Sequence, residues 1–259
     1  MKHGILMYSG GVGSWAAGMR AVERYGKENI TLLFCDTMME DEDLYRFLYE
    51  GAAVIDVPVT RIADGRTPWQ IFHDERFLGN SKVDPCSKLL KRHLADRWVR
   101  EHFTPSACIR LVGMDACQRE RNRLTKLQEG CAPYLVDAPL LWDPPLDKDA
   151  AKALVWKHGL KLPRLYELGF EHNNCGGACV KAGQQSWALL LRAMPERYAY
   201  HMEQEESLRE YLGKDVSILT DRSGDGKKKV LTLRMFMDRL TQSPELPLTE
   251  EWEACNCSP

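Results

Sequence analysis

The chain has 259 residues, of which 44% are hydrophobic and 28% are charged, as in an ordinary globular protein. Its formal net charge of −2 excludes a globally basic nucleic-acid-binding protein, although a local basic patch stays open. No apolar stretch approaches the roughly 20 residues of a transmembrane helix, and the N-terminus lacks the pattern of a secretory leader. We therefore expect a cytoplasmic protein that makes no use of a membrane.

The first half of the chain alternates strand-like and helix-like segments. Apolar runs predict strands over residues 4–8, 30–35, 54–59, 109–112 and 134–137. Between them, helical periodicity predicts helices over residues 15–25, 40–50, 69–77 and 87–101. Such alternation predicts an α/β fold with a doubly wound, mainly parallel sheet that carries helices on both faces.

The second half has a different sequence pattern, with more prolines and with longer segments of helical periodicity. We predict helices over residues 147–158, 184–194, 195–212 and 234–240. Strands at 216–219 and 229–233 would flank a hairpin turn at 221–226. The chain thus divides into an α/β domain, 1–145, and a helical C-terminal part with a small hairpin and a tail, 146–259.

A glycine-rich segment, Ser9–Ser14, follows the first strand and opens the first helix. Glycines let backbone N–H groups approach phosphate oxygens, serines add donors, and a helix N-terminus carries partial positive charge. The kinase-type loop is absent, because no lysine stands at the required position. The segment favours a phosphate-binding loop over an ordinary tight turn. Its candidate nucleotide contacts are Tyr8, Ser9, Gly10, Gly11, Val12, Gly13 and Ser14.

Two further polar segments follow predicted strands. Asp36 and Thr37 follow the second strand, and Gly113-Met114-Asp115 follows the fourth. Ligands of open α/β sheets bind beyond the carboxyl ends of the strands, so both segments are candidates. A basic cluster after Asp115 would grip a polyphosphate or a nucleic-acid backbone; it consists of Arg119, Arg121, Arg123 and Lys126.

Nine cysteines are many for a chain of this type, and an odd number argues against a disulfide framework. Cys175 and Cys179 flank two glycines, and Cys86 precedes a predicted helix on which Lys88 and Lys91 would share its face. Metal binding or thiol chemistry is the favoured interpretation. Buried free thiols and a zinc site are the alternatives. We expect Cys35, Cys108 and Cys131 to be structural.

Several segments together carry a family resemblance. Ser9–Ser14 resembles the PP-loop, SGGxxS, of the adenine nucleotide α-hydrolase superfamily. The order of the remaining segments is similar to the phosphoadenosine phosphosulfate (PAPS) reductase family, over about residues 4–187. These segments are Asp36-Thr37-Met38-Met39-Glu40, Asp84-Pro85-Cys86-Ser87-Lys88, Gly113-Met114-Asp115 with Glu120 and Arg123, Pro139-Leu140-Leu141-Trp142, Leu165-Tyr166-Glu167-Leu168-Gly169-Phe170 and Cys175-Gly176-Gly177-Ala178-Cys179.

The resemblance implies a HUP-type fold and an enzyme that cleaves ATP, with Mg²⁺, between the α and β phosphates. Such an ATP pyrophosphatase adenylylates an acceptor for sulfur transfer. The catalytic residues would be Ser9, Ser14, Asp36, Lys88, Asp115 and Cys257. The nucleotide would also contact Thr37, Gly113 and Arg123.

The resemblance also implies a [4Fe–4S] cluster. Adenylylsulfate reductases hold theirs with a cysteine pair and a later C-x-x-C motif. Here one cysteine of the pair is missing, and the second motif is one residue wider. Cys86, Cys175 and Cys179 would bind three irons, with the fourth iron open or bound by Cys255.

The C-terminal segment differs from that of sulfonucleotide reductases, and this difference affects which reaction we expect. The terminal E-C-G-L-H motif of sulfonucleotide reductases is absent, and Cys255-Asn256-Cys257 stands in a similar place. This favours an ATP-using relative that works on nucleic acid, in Dnd/Ssp-type DNA phosphorothioation or in tRNA thiolation. A cysteine desulfurase would donate the sulfur, partner proteins would supply the nucleic-acid contacts, and a homodimer is possible. The alternatives are a PAPS or adenylylsulfate reductase with a divergent tail and a non-catalytic nucleotide-sensing subunit.

Overall fold

A five-stranded parallel sheet forms the centre of the computed structural model, which describes residues 2–221 and 228–242. The strand order is β3-β2-β1-β4-β5. The strands are β1 (His3–Met7), β2 (Ile30–Asp36), β3 (Val59–Ala63), β4 (Cys108–Leu111) and β5 (Leu135–Asp137). The predicted doubly wound α/β fold is confirmed.

Helices connect these strands and continue after the sheet. The helices of the first half are α1 (Val12–Tyr25), α2 (Glu42–Ile55), α3 (Pro68–Asp74), α4 (Pro85–Ser87), α5 (Leu94–His102) and α6 (Gln118–Cys131). A π-helical turn, Lys88–His93, joins α4 to α5. The later helices are α7 (Lys148–Lys157), α8 (Arg164–Glu167), α9 (Gln184–Ala193), α10 (Pro195–Leu212) and α11 (Leu233–Gln242).

Side-chain alternation along β1 divides the core between the two faces of the sheet. Leu6 and Tyr8 join the cluster that includes α1 and α2, whereas Ile5 and Met7 join the cluster beneath α5. Successive residues of a strand point to opposite faces, so both faces of this continuous apolar run are buried. Cys35 belongs to the second cluster, and burial raises the pKa of its thiol to about 12, as expected of a core cysteine.

The chain reverses its direction of winding next to β1. β1 pairs with β2 on one side and with β4 on the other, and the connections leave toward opposite edges of the sheet. At such a switch point the loops after the two neighbouring strands diverge and leave a crevice. The glycine-rich loop after β1 and Gly113 after β4 therefore stand on either side of this crevice.

The core clusters cross residue 145. In the α1–α2 cluster, Ala151 and Val155 of α7 are buried. Trp69 and Phe72 of α3 pack instead with residues of the last third of the chain, among them Trp187 and Tyr198. A segment from the first half thus completes the core of the C-terminal part.

A buried carboxylate holds the C-terminal hairpin against α10. Glu205 is fully buried and accepts hydrogen bonds from the backbone N–H groups of Ile218, at 2.8 Å, and Leu233, at 2.6 Å. The hairpin pairs β6 (Leu219–Asp221) with β7 (Lys229–Leu231) in antiparallel fashion. The predicted hairpin is confirmed, but its first strand spans Leu219–Asp221 rather than 216–219, and most of its turn lies outside the described residues.

One strand prediction for the first half is wrong, and one helix was missed. Residues 54–59 do not form a strand, because α2 continues to Ile55 and ends at Asp56 in the left-handed conformation; the third strand begins at Val59. A short apolar run does not by itself distinguish a buried helix face from a strand. Helix α6, whose residues are largely polar, was not predicted.

Within residues 2–221 and 228–242, every helix is too short or too polar to cross a membrane.

Candidate functional site

A cavity opens at the carboxyl ends of β1 and β4. Its empty space measures about 1000 Å³, the solvent at its mouth included. We call it the phosphate cavity; among the residues that line it are Ser9, Gly11, Val12, Gly13, Ser14, Gly113, Asp115, Arg119, Glu120, Arg123, Lys148, Tyr166, Glu171, His172, Asn173 and Asn174. Its position matches the crevice that the strand order creates.

Hydrogen bonds of Ser14 fold the glycine-rich loop back on itself. The Ser14 hydroxyl donates to the Gly11 carbonyl at 2.9 Å and accepts from the Ser9 backbone N–H at 3.2 Å. Helix α1 begins directly behind, with no side-chain cap and no acidic residue in its first turn. An uncapped N-terminus leaves N–H donors and partial positive charge for an anion.

Two glycines allow the loops after β1 and β4 to touch through their backbones. A Cβ atom on Gly113 would stand 2.7 Å from the backbone N and Cα atoms of Ser14. A Cβ on Gly13 would stand 3.0 Å from the Gly113 carbonyl oxygen. Because the obstructing atoms belong to the backbone, a side chain at Gly113 would push the two loops apart. Gly113 therefore fixes the width of the phosphate cavity.

Cations also line the phosphate cavity. Arg123 pairs with the buried Glu120 at 3.0 Å, and Lys148 lies half-buried nearby. Burial lowers the pKa of Lys148, and burial with the neighbouring Lys148 charge lowers the pKa of His172. A bound polyanion would relieve both effects, since negative charge favours the protonated forms.

Asn173 connects residues 172–174 to the glycine-rich loop by a hydrogen bond, and one of its polar atoms has no partner among the described residues. Its buried side-chain amide donates to the Gly10 carbonyl at 3.0 Å. Its Oδ1 atom and the Nε2 atom of His172 are buried and find no hydrogen-bond partner among the described residues. Tyr166 closes the side of the cavity, where its hydroxyl accepts from the Val12 N–H at 3.4 Å. Buried polar atoms normally form hydrogen bonds. The unpaired Oδ1 atom of Asn173 and Nε2 atom of His172 therefore indicate that a ligand or a water binds here.

A second, smaller pocket gathers three cysteines that lie far apart in sequence. Cys86, Cys175 and Cys179 line it together with Thr37, Lys91 and His201. We call it the cysteine pocket. Cys175, Gly176 and Gly177 all have positive φ, at 50°, 57° and 83°, so the chain makes a left-handed turn there. For a cysteine this conformation is strained, and such strain is found mainly at functional sites.

The Glu40 carboxylate bonds to three residues around the cysteine pocket. One oxygen accepts from the Cys175 backbone N–H at 2.5 Å. The other accepts from the Thr37 hydroxyl at 3.0 Å and lies 3.4 Å from the Lys91 ammonium. Glu40 and Lys91 are both buried. The carboxylate thereby fixes the start of the left-handed turn relative to the loop after β2.

The arrangement of the cysteine pocket does not show the predicted [4Fe–4S] cluster. Within the described part of the chain, no three His, Cys, Asp or Glu side chains stand close enough to hold one ion. The Arg197 guanidinium lies against Gly176, and its buried Nη1 atom has no hydrogen-bond partner among the described residues. Arg197 therefore places a positive charge beside the turn.

The phosphate cavity and the cysteine pocket share one short segment of chain. His172, Asn173 and Asn174 line the phosphate cavity, and the next residue, Cys175, lines the cysteine pocket. Asn173 contacts the glycine-rich loop while Cys175 contacts Glu40. The two sites are therefore neighbours across residues 172–175.

Most of the predicted nucleotide contacts come together, but several lie elsewhere. Ser9, Gly11, Val12, Gly13, Ser14, Gly113, Asp115 and Arg123 all line the phosphate cavity. Tyr8 does not line it, because its hydroxyl donates to the Leu48 carbonyl at 3.1 Å. Gly10 contributes its carbonyl to Asn173 instead. Thr37 lines the cysteine pocket.

Asp36 is fully buried and lines neither site. Its carboxylate accepts from the Met38 N–H at 2.8 Å, from the Tyr45 hydroxyl at 2.9 Å, and from Arg61 at 2.9 and 2.7 Å. Its acceptor capacity is thus taken up by the protein itself. The geometry gives Asp36 a role in shaping the loop after β2.

Lys91 lies with Cys86 as predicted, but Lys88 does not, contrary to the prediction. Lys91 lines the cysteine pocket, whereas Lys88 is exposed in a separate surface depression. The reason is the π-helical turn, Lys88–His93, which inserts one extra residue and carries Lys91 to the place that residue 90 would hold in an α-helix. Cys255 and Cys257 lie outside the described residues.

Sequence reasoning missed several residues of the phosphate cavity. Lys148, Glu171, His172, Asn173 and Asn174 were not predicted as site residues. None of them belongs to a spacing pattern that points to a nucleotide. The available signal was the position of residues 172–174 directly before Cys175.

Comparisons with known proteins give limited similarity. No family model and no curated protein matches the chain. Among solved structures it is similar to phosphoadenylyl-sulfate (PAPS) reductase from Candida auris, a phosphate complex, with a TM-score of 0.46 and 16% identity. That match covers 64% of this chain and 78% of the other. The chain's own sheet order, with its crevice between β1 and β4, carries the assignment of a doubly wound α/β fold.

Proposed function

We propose that the protein is an ATP pyrophosphatase that adenylylates an acceptor for sulfur transfer. The observation that supports this most is the segment shared by the two sites, in which Asn174 lines the phosphate cavity and Cys175 the cysteine pocket. A phosphate site and a thiol site that touch are what an enzyme needs to activate an oxygen and replace it with sulfur in one place.

The phosphate cavity supplies the parts for the activation step. The glycine-rich loop and the N-terminus of α1 would hold the β and γ phosphates. Arg123 and Lys148 would stabilise the charge that develops on the leaving diphosphate. Asp115 has a carboxylate at the same wall and would bind a hydrated Mg²⁺, which offsets phosphate charge.

The proposed reaction has three steps: activation of the acceptor, sulfur transfer and release of the product. An acceptor oxygen attacks the α phosphorus of ATP, an O–P bond forms, and the bond to the β phosphate breaks with release of diphosphate. A persulfide from a cysteine desulfurase then attacks the activated centre through its terminal sulfur, and AMP leaves with the oxygen. A second thiol reduces the resulting disulfide and frees the product. The acceptor in this proposal is nucleic acid.

The cysteine pocket would serve the sulfur step. Cys86, Cys175 and Cys179 are the residues that would hold a [4Fe–4S] cluster, which supplies an iron site able to bind sulfur when a fourth ligand is lacking. Glu40 and Lys91 set the position of the turn on which Cys175 stands. Arg197 adds positive charge beside the thiols.

Diphosphate release tests the proposal. Purified protein, reconstituted anaerobically with iron and sulfide, is given ATP, Mg²⁺ and single-stranded DNA or tRNA, and diphosphate and AMP are measured. Nucleic-acid-dependent release of both supports the proposal. Sulfite release from PAPS or adenylylsulfate with a thiol, without diphosphate release from ATP, would make the chain a sulfonucleotide reductase. Tight ATP binding without turnover, with the partner proteins present, would make it a nucleotide sensor.

A further inference from the structure

A groove beside the C-terminal hairpin is lined by basic residues. Arg76, Lys214, Lys228 and Lys229 contribute side chains to it, next to Leu212 and Val216. None of the described residues that line this groove is an aspartate or a glutamate. The four cations come from three separate parts of the chain. The fold therefore creates this basic surface by bringing distant residues together.

A second depression continues the basic surface toward the cysteine pocket. It contains Lys82, Lys88 and Arg92, together with two acids, Glu75 and Asp84. Asp84 lies 3.8 Å from Arg92 and 3.7 Å from Lys181, so its charge is offset by two cations. The excess of positive charge is thus maintained in this depression.

One loop joins the two depressions and reaches the cysteine pocket. Phe77 lines both depressions, and Asp84 lines both the second depression and the cysteine pocket. The loop between them is ordered by Asn80, whose side chain accepts from the backbone N–H groups of Lys82 and Val83. The two depressions therefore form one continuous surface. We call it the basic track; its cations are Arg76, Lys82, Lys88, Arg92, Lys214, Lys228 and Lys229.

Several cations of the basic track are available for an external anion. Lys82, Lys88 and Lys214 are exposed and form no ion pair with any carboxylate of the described residues. Arg76 is also exposed, and its guanidinium contacts only the Tyr211 hydroxyl, at 3.3 Å, and the Tyr211 ring among the described side chains. Exposed cations in a row attract a polyanion because counterions are released when it binds.

Aromatic rings stand among these cations. Phe77 is 38% exposed at the junction of the two depressions, and Tyr211 is 42% exposed beside Arg76. The Tyr211 ring is already stacked on His73 at 4.0 Å and contacts the Arg76 guanidinium. Phe77, which has no ring contact among the described residues, is therefore the ring that can offer a face to a base. An exposed ring between cations is the arrangement on which unpaired bases stack while the phosphates follow the charges. A duplex has no free base face for such a ring.

We propose that the chain itself binds single-stranded nucleic acid along the basic track, with the strand directed toward the cysteine pocket. The binding is independent of the proposed function; only the statement that the bound strand is the sulfur acceptor rests on it. Partner proteins are then not required for the first contact with the acceptor. The charge and the exposed Phe77 ring favour a single-stranded nucleic acid over an acidic protein, because every nucleotide carries a base that can stack beside its phosphate.

Fluorescence anisotropy of a labelled oligonucleotide of about 12 nucleotides tests the inference, since such a length fits single-strand sites in general. The full chain is titrated without ATP at salt concentrations of roughly 50 to 200 mM. We expect binding that weakens steeply with salt. The double variant Lys82→Glu/Lys214→Glu is expected to bind at least about tenfold more weakly, and its salt slope is expected to fall by about 0.7 for each phosphate that a removed lysine neutralises.

Two further variants separate charge from stacking. Lys157→Glu/Lys161→Glu carries the same change in charge outside the track and is expected to bind like the unaltered chain. Phe77→Ala keeps every charge and is expected to bind a strand about fivefold or more weakly while leaving the salt slope unchanged. The melting temperature of each variant is measured, and Lys82→Gln/Lys214→Gln replaces the charge reversal if that variant does not fold.

Three results would overturn the inference. These are equal binding by the track and control variants, tighter binding of a duplex than of a single strand, and equal competition by polyglutamate. Diphosphate release in the same samples keeps the two proposals apart. A chain that releases diphosphate but binds no strand defeats only this inference, whereas a chain that binds the strand along the track but never turns over ATP defeats only the proposed function.

Discussion

The side-chain amide of Asn173 donates a hydrogen bond of 3.0 Å to the carbonyl oxygen of Gly10. This bond joins two segments that are 163 residues apart and ties the chain before Cys175 to the glycine-rich loop. Because Asn173 is buried and its Oδ1 atom has no hydrogen-bond partner among the described residues, a ligand or a water in the phosphate cavity could pair with it. The relationship couples the shape of the phosphate cavity to the position of the cysteine pocket.

Asn173→Asp is expected to weaken ATP binding by about tenfold or more. The substitution replaces the donor that faces Gly10 with a carboxylate oxygen, and a buried negative charge at this wall repels phosphate. Isothermal titration with a non-hydrolysable ATP analogue measures the effect. Asn29→Asp is the matched control, because Asn29 donates the same kind of bond, to the Tyr25 carbonyl at 2.8 Å, away from the cavity. Equal losses in both variants would count against the role given to Asn173.

Gly113→Ala is expected to abolish measurable ATP binding while the protein still folds. The new Cβ would stand 2.7 Å from the Ser14 backbone, and backbone atoms cannot move aside as a flexible side chain can. Gly130→Ala, where nothing lies within 4 Å of the added atom, is expected to be neutral or slightly stabilising. Titration of the ATP analogue and thermal melting are compared for both variants. Unchanged affinity in Gly113→Ala would show that the contact between the two loops does not set the cavity.

Glu40→Gln is expected to destabilise the fold by about 3 kcal/mol, because it leaves the Lys91 ammonium buried without this carboxylate. Glu40→Gln/Lys91→Met should cost less than the sum of the two single variants, as a coupled pair does. Urea unfolding gives the three free energies. Glu50→Gln, which removes an exposed pair with Arg46, is expected to change stability by less than about 1 kcal/mol. Additive single effects would mean that Glu40 and Lys91 do not act as a pair.

Cys175→Ser and Cys179→Ser are each expected to lose the iron that the unaltered chain binds during anaerobic reconstitution. Thiolates are the ligands of iron–sulfur clusters, and both thiols line the cysteine pocket. Iron per chain and visible absorbance are the readouts. Cys117→Ser, which alters an exposed cysteine outside the pocket, should keep both. An unaltered chain that stays colourless and free of iron would end the cluster hypothesis and leave the phosphate cavity untouched.

His201 is expected to make the fold less stable as the pH falls. Burial, with a smaller effect of the Arg197 charge, lowers the pKa of this histidine to about 3. An unfolded histidine has a pKa near 6.5, so below that pH the unfolded chain takes up a proton that the folded chain refuses. Its contribution to stability is therefore present above pH 6.5 and decreases toward pH 3. Between pH 7 and 5 the loss from this group is about 2 kcal/mol.

Urea unfolding of the unaltered chain and of His201→Gln at pH 7 and at pH 5 measures this loss. The glutamine can still accept the hydrogen bond that the Trp69 indole donates to His201 Nδ1 at 3.0 Å, but it does not titrate. The difference between the two proteins should therefore shrink at pH 5. Parallel pH profiles would show that His201 does not titrate as described.

The strands and the glycine-rich loop were predictable from local sequence. β1, β2, β4 and β5 appear within one residue or so of their predicted bounds, because buried parallel strands are continuous apolar runs between turns. The start of α1 behind Ser9–Ser14 follows in the same way. The predicted strand over 54–59 failed because its apolar residues form the end of a helix, with Ile55 on the buried face. Helix α6 was missed because a polar helix has no apolar period to detect.

The sequence by itself determined the kinds of chemistry present in this protein: a glycine-rich turn at a helix start, and cysteines beside glycines. These are local properties, since backbone conformation and donor type depend on neighbouring residues. Only the tertiary structure decided which of these distant residues come into contact. Gly113 touches Ser14, Asn173 holds Gly10, and Lys91 rather than Lys88 reaches the cysteines, because packing brings together residues that are distant along the chain. No spacing rule encodes the meeting of the phosphate cavity and the cysteine pocket at residues 172–175.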